Sequence, residues 1–117
     1  MTQSEKQRLA QLGAVTETGL NASLLQLKKA SDRTRDVQTR IEDLEAARRA
    51  ILYDPTPPAT IAGADQRWLA WAEQERARLN AALARARVAE ARQRSAATTA
   101  FGRNDAMRKL IARKALR

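Results

Sequence analysis

From Leu20 onward the apolar positions recur in alternating steps of three and four residues: Leu20, Ser23, Leu27, Ala30, Thr34, Val37, Ile41, Leu44, Arg48 and Ile51. Seven of these ten positions are apolar, which predicts one narrow coiled-coil seam rather than a broad globular face. Ser23, Thr34 and Arg48 interrupt the seam. Extended backwards it meets Leu9, with Leu12, Val15 and Leu24 on its flanks. On the outer face, Arg40–Asp43 and Glu45–Arg49 are spaced for ion pairs worth about 0.2–0.5 kcal/mol each. Glu42–Arg49, seven apart, is too distant to count.

A second periodic stretch follows: Trp68, Ala72, Glu75, Leu79, Ala82, Ala86, Ala89, Gln93, Ala96, Ala100, Arg103, Met107 and Leu110. Between Ala82 and Ala100 it is nearly all alanine. Small side chains on one helix receive the larger leucines of the other, a workable way to pack two helices. Between the stretches lies Asp54-Pro55-Thr56-Pro57-Pro58, which holds all three prolines of the chain. Proline lacks the helical donor and pushes its predecessor out of the α region, so a turn is forced there.

These signals predict an all-α chain folded as one two-helix antiparallel coiled-coil hairpin. Its expected parts are a helix over about 3–52, a proline-rich turn over 53–65 and a helix over about 66–115. Thr2-Gln3-Ser4-Glu5 fits a capping box for the first helix, and Asp65 is the expected N-cap of the second. Gly13, Thr16, Thr18, Gly19 and Asn21 are poor helix formers, so residues 13–21 are expected to be helical but ready to fray or bend. At Phe101-Gly102-Arg103-Asn104-Asp105 two outcomes are open: a kink with Asn104 as a new cap, or Gly102 carried inside the helix. Each helix of about fifty residues would reach roughly 75 Å. A pair of helices that long leaves a flank of its core uncovered, an invitation to further helices.

Composition narrows the chemistry. The 117 residues contain no Cys and no His, which removes disulfides, thiolate chemistry and ordinary zinc or haem ligation. No set of carboxylates is placed to hold Mg²⁺ or Ca²⁺, so no metal or cofactor is expected. There is no Gly-rich phosphate loop and no Ser or carboxylate pair in an activating setting, which argues against an enzyme. The opening Met-Thr-Gln-Ser-Glu-Lys lacks the hydrophobic core of a cleaved signal, and no apolar run is long enough to span a membrane. A cytosolic protein is expected, one that could sit at the face of a larger machine.

Charge separates the two halves. Residues 1–54 hold 9 Lys/Arg against 8 Asp/Glu, whereas residues 55–117 hold 13 against 5, a net of +8. Such asymmetry points the second half toward an acidic partner, nucleic acid or an anionic surface. The plainer alternative is a set of arginines that keeps a coiled coil soluble. Arg78, Arg85 and Arg92 recur every seven residues, as do Arg87 and Arg94, making basic stripes that could follow a phosphate backbone. Base-stacking aromatics are missing from that stretch. Residues 106–117 form a basic amphipathic tail, for which anionic lipid is a weaker candidate. Trp68 and Trp71 share a helical face; they read either as interface anchors or as a seal over Ile51, Leu52 and Tyr53.

A short, cysteine-free, Arg/Gln/Ala-rich chain with heptads over Leu20–Ile51, a turn at 53–65 and a return over Trp68–Leu110 resembles the FliJ/YscO family. These are the central stalk proteins of flagellar and virulence type III export ATPases. The resemblance implies that the paired termini enter the pore of a hexameric ATPase, with the hairpin tip toward the export gate or a chaperone. It makes Arg108, Lys109, Arg113, Lys114 and Arg117 the candidate contacts with the ATPase. Other readings from the residues are a basic adaptor for nucleic acid or an acidic protein, and a structural subunit that self-associates or completes a larger bundle.

Overall fold

The computed structural model describes residues 2–53 and 59–116. It is an all-α helical hairpin of two elements, α1 (Gln3–Leu52) and α2 (Ala59–Ala115). The Glu5 N–H donates to Thr2 Oγ1 at 3.2 Å, so Thr2 caps α1. Residues 13–21 continue the helix without a break. Their threonines are accommodated by bonding back along it: Thr16 Oγ1 lies 3.0 Å from the Gly13 carbonyl oxygen and Thr18 Oγ1 2.9 Å from that of Ala14.

α2 starts earlier than the turn chemistry suggests, at Ala59 instead of residue 66. Asp65 therefore lies inside the helix and does not cap it. Gly63 is carried in helical conformation, a cost of about 1 kcal/mol relative to Ala that a helix of this length absorbs. Its carbonyl oxygen also accepts a bond from Arg67 Nε at 3.3 Å. The expected turn residues Asp54–Pro58 lie outside the described residues. At the far end α2 runs through Phe101–Asp105 unbroken, so Gly102 is the tolerated glycine.

The hairpin divides into two compact units. The terminal unit comprises residues 1–31 and 89–117, and the central unit residues 32–88. Within the central unit the inward positions of α1 are Thr34, Val37, Ile41, Leu44, Arg48 and Ile51, the seam read from the sequence. Those of α2 are Trp68, Ala72, Glu75, Leu79, Ala82 and Ala86, also as read. Val37, Ala72, Leu79 and Ala86 are buried, with Leu79 only 8% exposed. Glu45 of α1 pairs with Arg76 Nε of α2 at 3.0 Å.

Within the terminal unit α1 turns Leu9, Gly13, Thr16, Leu20, Ser23, Leu27 and Ala30 inward. The α2 frame differs from the heptad count. The inward line follows Glu90, Gln93, Ala97, Ala100, Asn104, Met107 and Ile111, with Asp105, Leu110 and Lys114 partly buried beside it, while Ala89, Ala96 and Arg103 are exposed. A four-residue step from Ala86 to Glu90 replaces the expected three. An α-helix has 3.6 residues per turn, so a strict 3.5-residue repeat drifts by about 20° per heptad and an extra four-residue step restores the phase. Asn104, a candidate cap by sequence, is instead buried, its Oδ1 3.1 Å from Thr16 Oγ1. The single hydroxyl proton of Thr16 serves both this contact and the Gly13 carbonyl. At Gly13 the helices approach closely: a Cβ there would stand 2.8 Å from Ile111 Cδ1.

Candidate interaction surfaces

The candidate surfaces differ first in charge. The terminal unit holds 12 Lys/Arg against 4 Asp/Glu, a net of +8; the central unit holds 10 against 9, a net of +1. Almost the whole excess of the chain therefore belongs to one unit. Of the basic tail, Arg108, Lys109 and Arg113 are exposed, Lys114 is half-buried, and Arg117 lies outside the described residues. Lys109 Nζ pairs with Asp105 at 2.9 Å. The tail belongs to the packed hairpin, since Ile111 approaches Gly13 and a hollow of about 250 Å³ is lined by Lys6, Leu9, Ile111 and Ala115.

The terminal unit has a second feature. Val15, Thr16, Gly19 and Ser23 of α1, with Ala96, Thr99, Ala100 and Arg103 of α2, line an open groove of about 470 Å³. Its bottom is made of small side chains. Two apolar residues are exposed here, Val15 in the groove wall at 68% and Leu12 on the neighbouring row. Sequence reading placed Ala96 and Arg103 in the seam; the changed phase of α2 turns them out onto this flank.

In the central unit the tryptophans sit at a groove of about 410 Å³ lined by Arg40, Asp43, Leu44, Trp68, Trp71, Glu75 and Leu79. The rings of Trp68 and Trp71 stand 6.0 Å apart with a 50° tilt. Trp68 is partly buried and Trp71 is 52% exposed. They do not form a seal over Leu52 and Tyr53, because Tyr53 is 80% exposed and Leu52 more than half exposed. Short-range ion pairs occupy the rim. Arg40 reaches back to Asp36 at 3.4 Å rather than forward to Asp43, and Glu45 turns to α2 rather than to Arg49. Arg78 donates to Glu75 through two of its guanidinium nitrogens, Nη2 and Nε, the latter at 3.1 Å. That hydrogen bond, helped by the charge of Arg78, holds the Glu75 carboxyl below the usual carboxylate range and raises Arg78.

The arginine stripe is divided. Arg78 and Arg85 belong to the central unit, on the row beside its seam, whereas Arg92 belongs to the terminal unit. There the shifted frame moves Arg92 one row further out. Arg85, Arg87, Arg92 and Arg94 are all exposed, and Arg94 pairs with Glu90 at 2.8 Å. Among the described residues no group of three or more acidic side chains gathers as a metal site, and no helix is long and apolar enough to cross a membrane. Comparisons with protein-family models, with curated proteins and with solved structures find no match to this chain.

Proposed function

We propose that this protein is a non-enzymatic coiled-coil adaptor acting as a stalk or regulator of a type III (flagellar) protein-export ATPase, at the cytoplasmic face of the export machine. The observation that carries the reading is the net +8 of the unit that contains both ends of the hairpin. A stalk that enters a ring by its paired termini needs charge there to meet the inner surface, and an excess of like sign favours rapid, oriented capture. Arg108, Lys109, Arg113 and Lys114 are the contacts in this reading, with Trp71 free to meet a second component. The test is ATP hydrolysis by the purified export ATPase with and without the chain. Hydrolysis rises with the intact chain and rises less when Arg108 and Arg113 are both changed to Glu. No change with saturating intact chain contradicts the reading.

A second reading rests on the exposed Arg85, Arg87 and Arg92, none of which has an ion pair among the described residues. In that reading the chain is a basic adaptor for nucleic acid. Its mark is a steep loss of affinity for generic duplex DNA between low and physiological salt.

A further inference from the structure

We infer that the flank of the terminal unit bearing the Val15–Arg103 groove docks an acidic amphipathic helix of a partner protein. The inference rests on this flank alone and does not depend on the export reading.

Residues seven apart on a coiled-coil helix share a row. Around the groove, one row of α1 reads Arg8, Val15, Ala22, Lys29, and the row beside it Glu5, Leu12, Gly19, Gln26. On α2 the corresponding rows read Arg92, Thr99, Ala106, Arg113 and Ala89, Ala96, Arg103, Leu110. The middle of the flank is thus apolar or small: Leu12, Val15, Gly19 and Ala22 on one helix, Ala96, Thr99 and Ala106 on the other. The cations Arg8, Lys29, Arg92 and Arg113 stand at the ends of the outer rows, with Arg103 in the groove itself. Glu5 is the one carboxylate in all four rows. The opposite flank is different in kind, with Glu17 and Asp105 among its charges and the Glu90–Arg94 pair beside it.

Each part of this pattern selects an occupant. An apolar centre between two helices is the seat of a third helix, whose i, i+3, i+4, i+7 residues enter the groove. Nothing lies within 4 Å of a Cβ built on Gly19, so the floor has room for an incoming side chain. Four bordering cations, with Arg103 in the groove, call for carboxylates on the shoulders of that helix. A second copy of this chain would bring the same cations against themselves. Nucleic acid would use the arginines and leave Leu12 and Val15 exposed to water, with no aromatic side chain in these rows to stack a base.

The experiment measures binding of a labelled synthetic peptide of roughly twenty residues, with Leu on one helical face and Glu elsewhere, to the intact chain. Three comparisons accompany it: a peptide of identical composition with scrambled leucines, duplex DNA of similar charge, and sedimentation of the chain alone. Variants are Val15→Arg, Arg103→Glu and, as a control pointing away from the groove, Leu25→Arg; circular dichroism confirms that each keeps its helices. The amphipathic peptide binds saturably, Val15→Arg and Arg103→Glu each weaken it about tenfold, and Leu25→Arg leaves it unchanged. Equal binding of the scrambled peptide, binding indifferent to Val15→Arg, or no binding at all overturns the proposal. So does tighter binding of DNA than of the peptide, or a self-associated chain that Val15→Arg dissociates.

Discussion

The central and terminal units are built on the same helix pair but devote it to different ends. In the central unit Val37, Ala72, Leu79 and Ala86 are buried and the charges nearly balance. In the terminal unit the inward line alternates half-buried Leu9, Leu20, Leu27, Met107 and Ile111 with Gly13, Thr16, Ser23, Gln93 and Asn104, positions that contribute little apolar area. Several of its larger side chains stand outside that line, with Leu12, Val15, Leu24, Leu25 and Phe101 all about half exposed or more. It also carries eight net positive charges, which repel one another across a thin core. The lesson is a division of labour in packing: the central unit buries more of its apolar seam, and the terminal unit carries nearly all the net charge beside exposed aliphatic side chains.

The largest test of that contrast is an aspartate placed in each seam. Leu79→Asp puts an unpaired carboxylate at a buried site and costs about 3 kcal/mol or more, enough to abolish a cooperative thermal transition. Leu27→Asp, at a half-buried site of the terminal unit, costs about half as much because water reaches it. Equal losses by thermal melting would break the comparison.

Next in size is Asn104→Ala, which removes the buried partner of Thr16. Its expected cost is about 1 kcal/mol, read by urea unfolding, with the terminal unit opening first. Of comparable size but opposite sign, Gly19→Ala and Gly102→Ala each stabilise by about 0.5–1 kcal/mol, since both lie in helix with open space around them. Gly13→Ala gains less, because the tip of Ile111 must move aside. Smaller still is Glu45→Gln, which breaks the ion pair to Arg76 across the central unit. About 0.2–1 kcal/mol is lost, and the loss shrinks in high salt.

The smallest effect is on pH. Arg78 lowers the folded-state pKa of Glu75, so the pair's contribution is present above the ordinary carboxylate range. It disappears as pH falls through the lowered value. Glu75→Gln therefore lowers stability slightly at neutral pH, leaves strongly acid pH nearly unchanged, and so flattens the acid limb of the stability curve. A steeper acid limb in the variant would contradict the assignment.

How much of this was legible in the sequence follows from which side chains report phase. The α1 seam was readable because leucine, isoleucine and valine appear at three- and four-residue steps with few competing neighbours. In α2 the central seam was readable for the same reason, through Trp68 and Leu79. Beyond Ala86 the phase was hidden: Ala96 and Ala97 are equally plausible seam residues, and the buried polar residue of the true frame, Asn104, has the chemistry of a cap. Its partner Thr16 lies 88 residues away, a pairing that local rules do not reveal. The start of α2 was misplaced because the prolines and Gly63 weigh more in local propensity than in a helix this long. The groove flank escaped notice for the reason that the frame did, since it becomes visible only once Ala96 and Arg103 are turned outward.

Residue-resolved hydrogen exchange of the intact chain, alone and with the reconstituted export ATPase, tests the division of labour most directly. The account predicts that in the free chain the slowest amides lie in 34–48 and 72–86. Under the proposed export role it further predicts that the ATPase adds protection in the terminal unit, on α2 around Arg108–Lys114. Equal or greater protection of the terminal unit in the free chain, or ATPase-induced protection confined to the central unit, would contradict it.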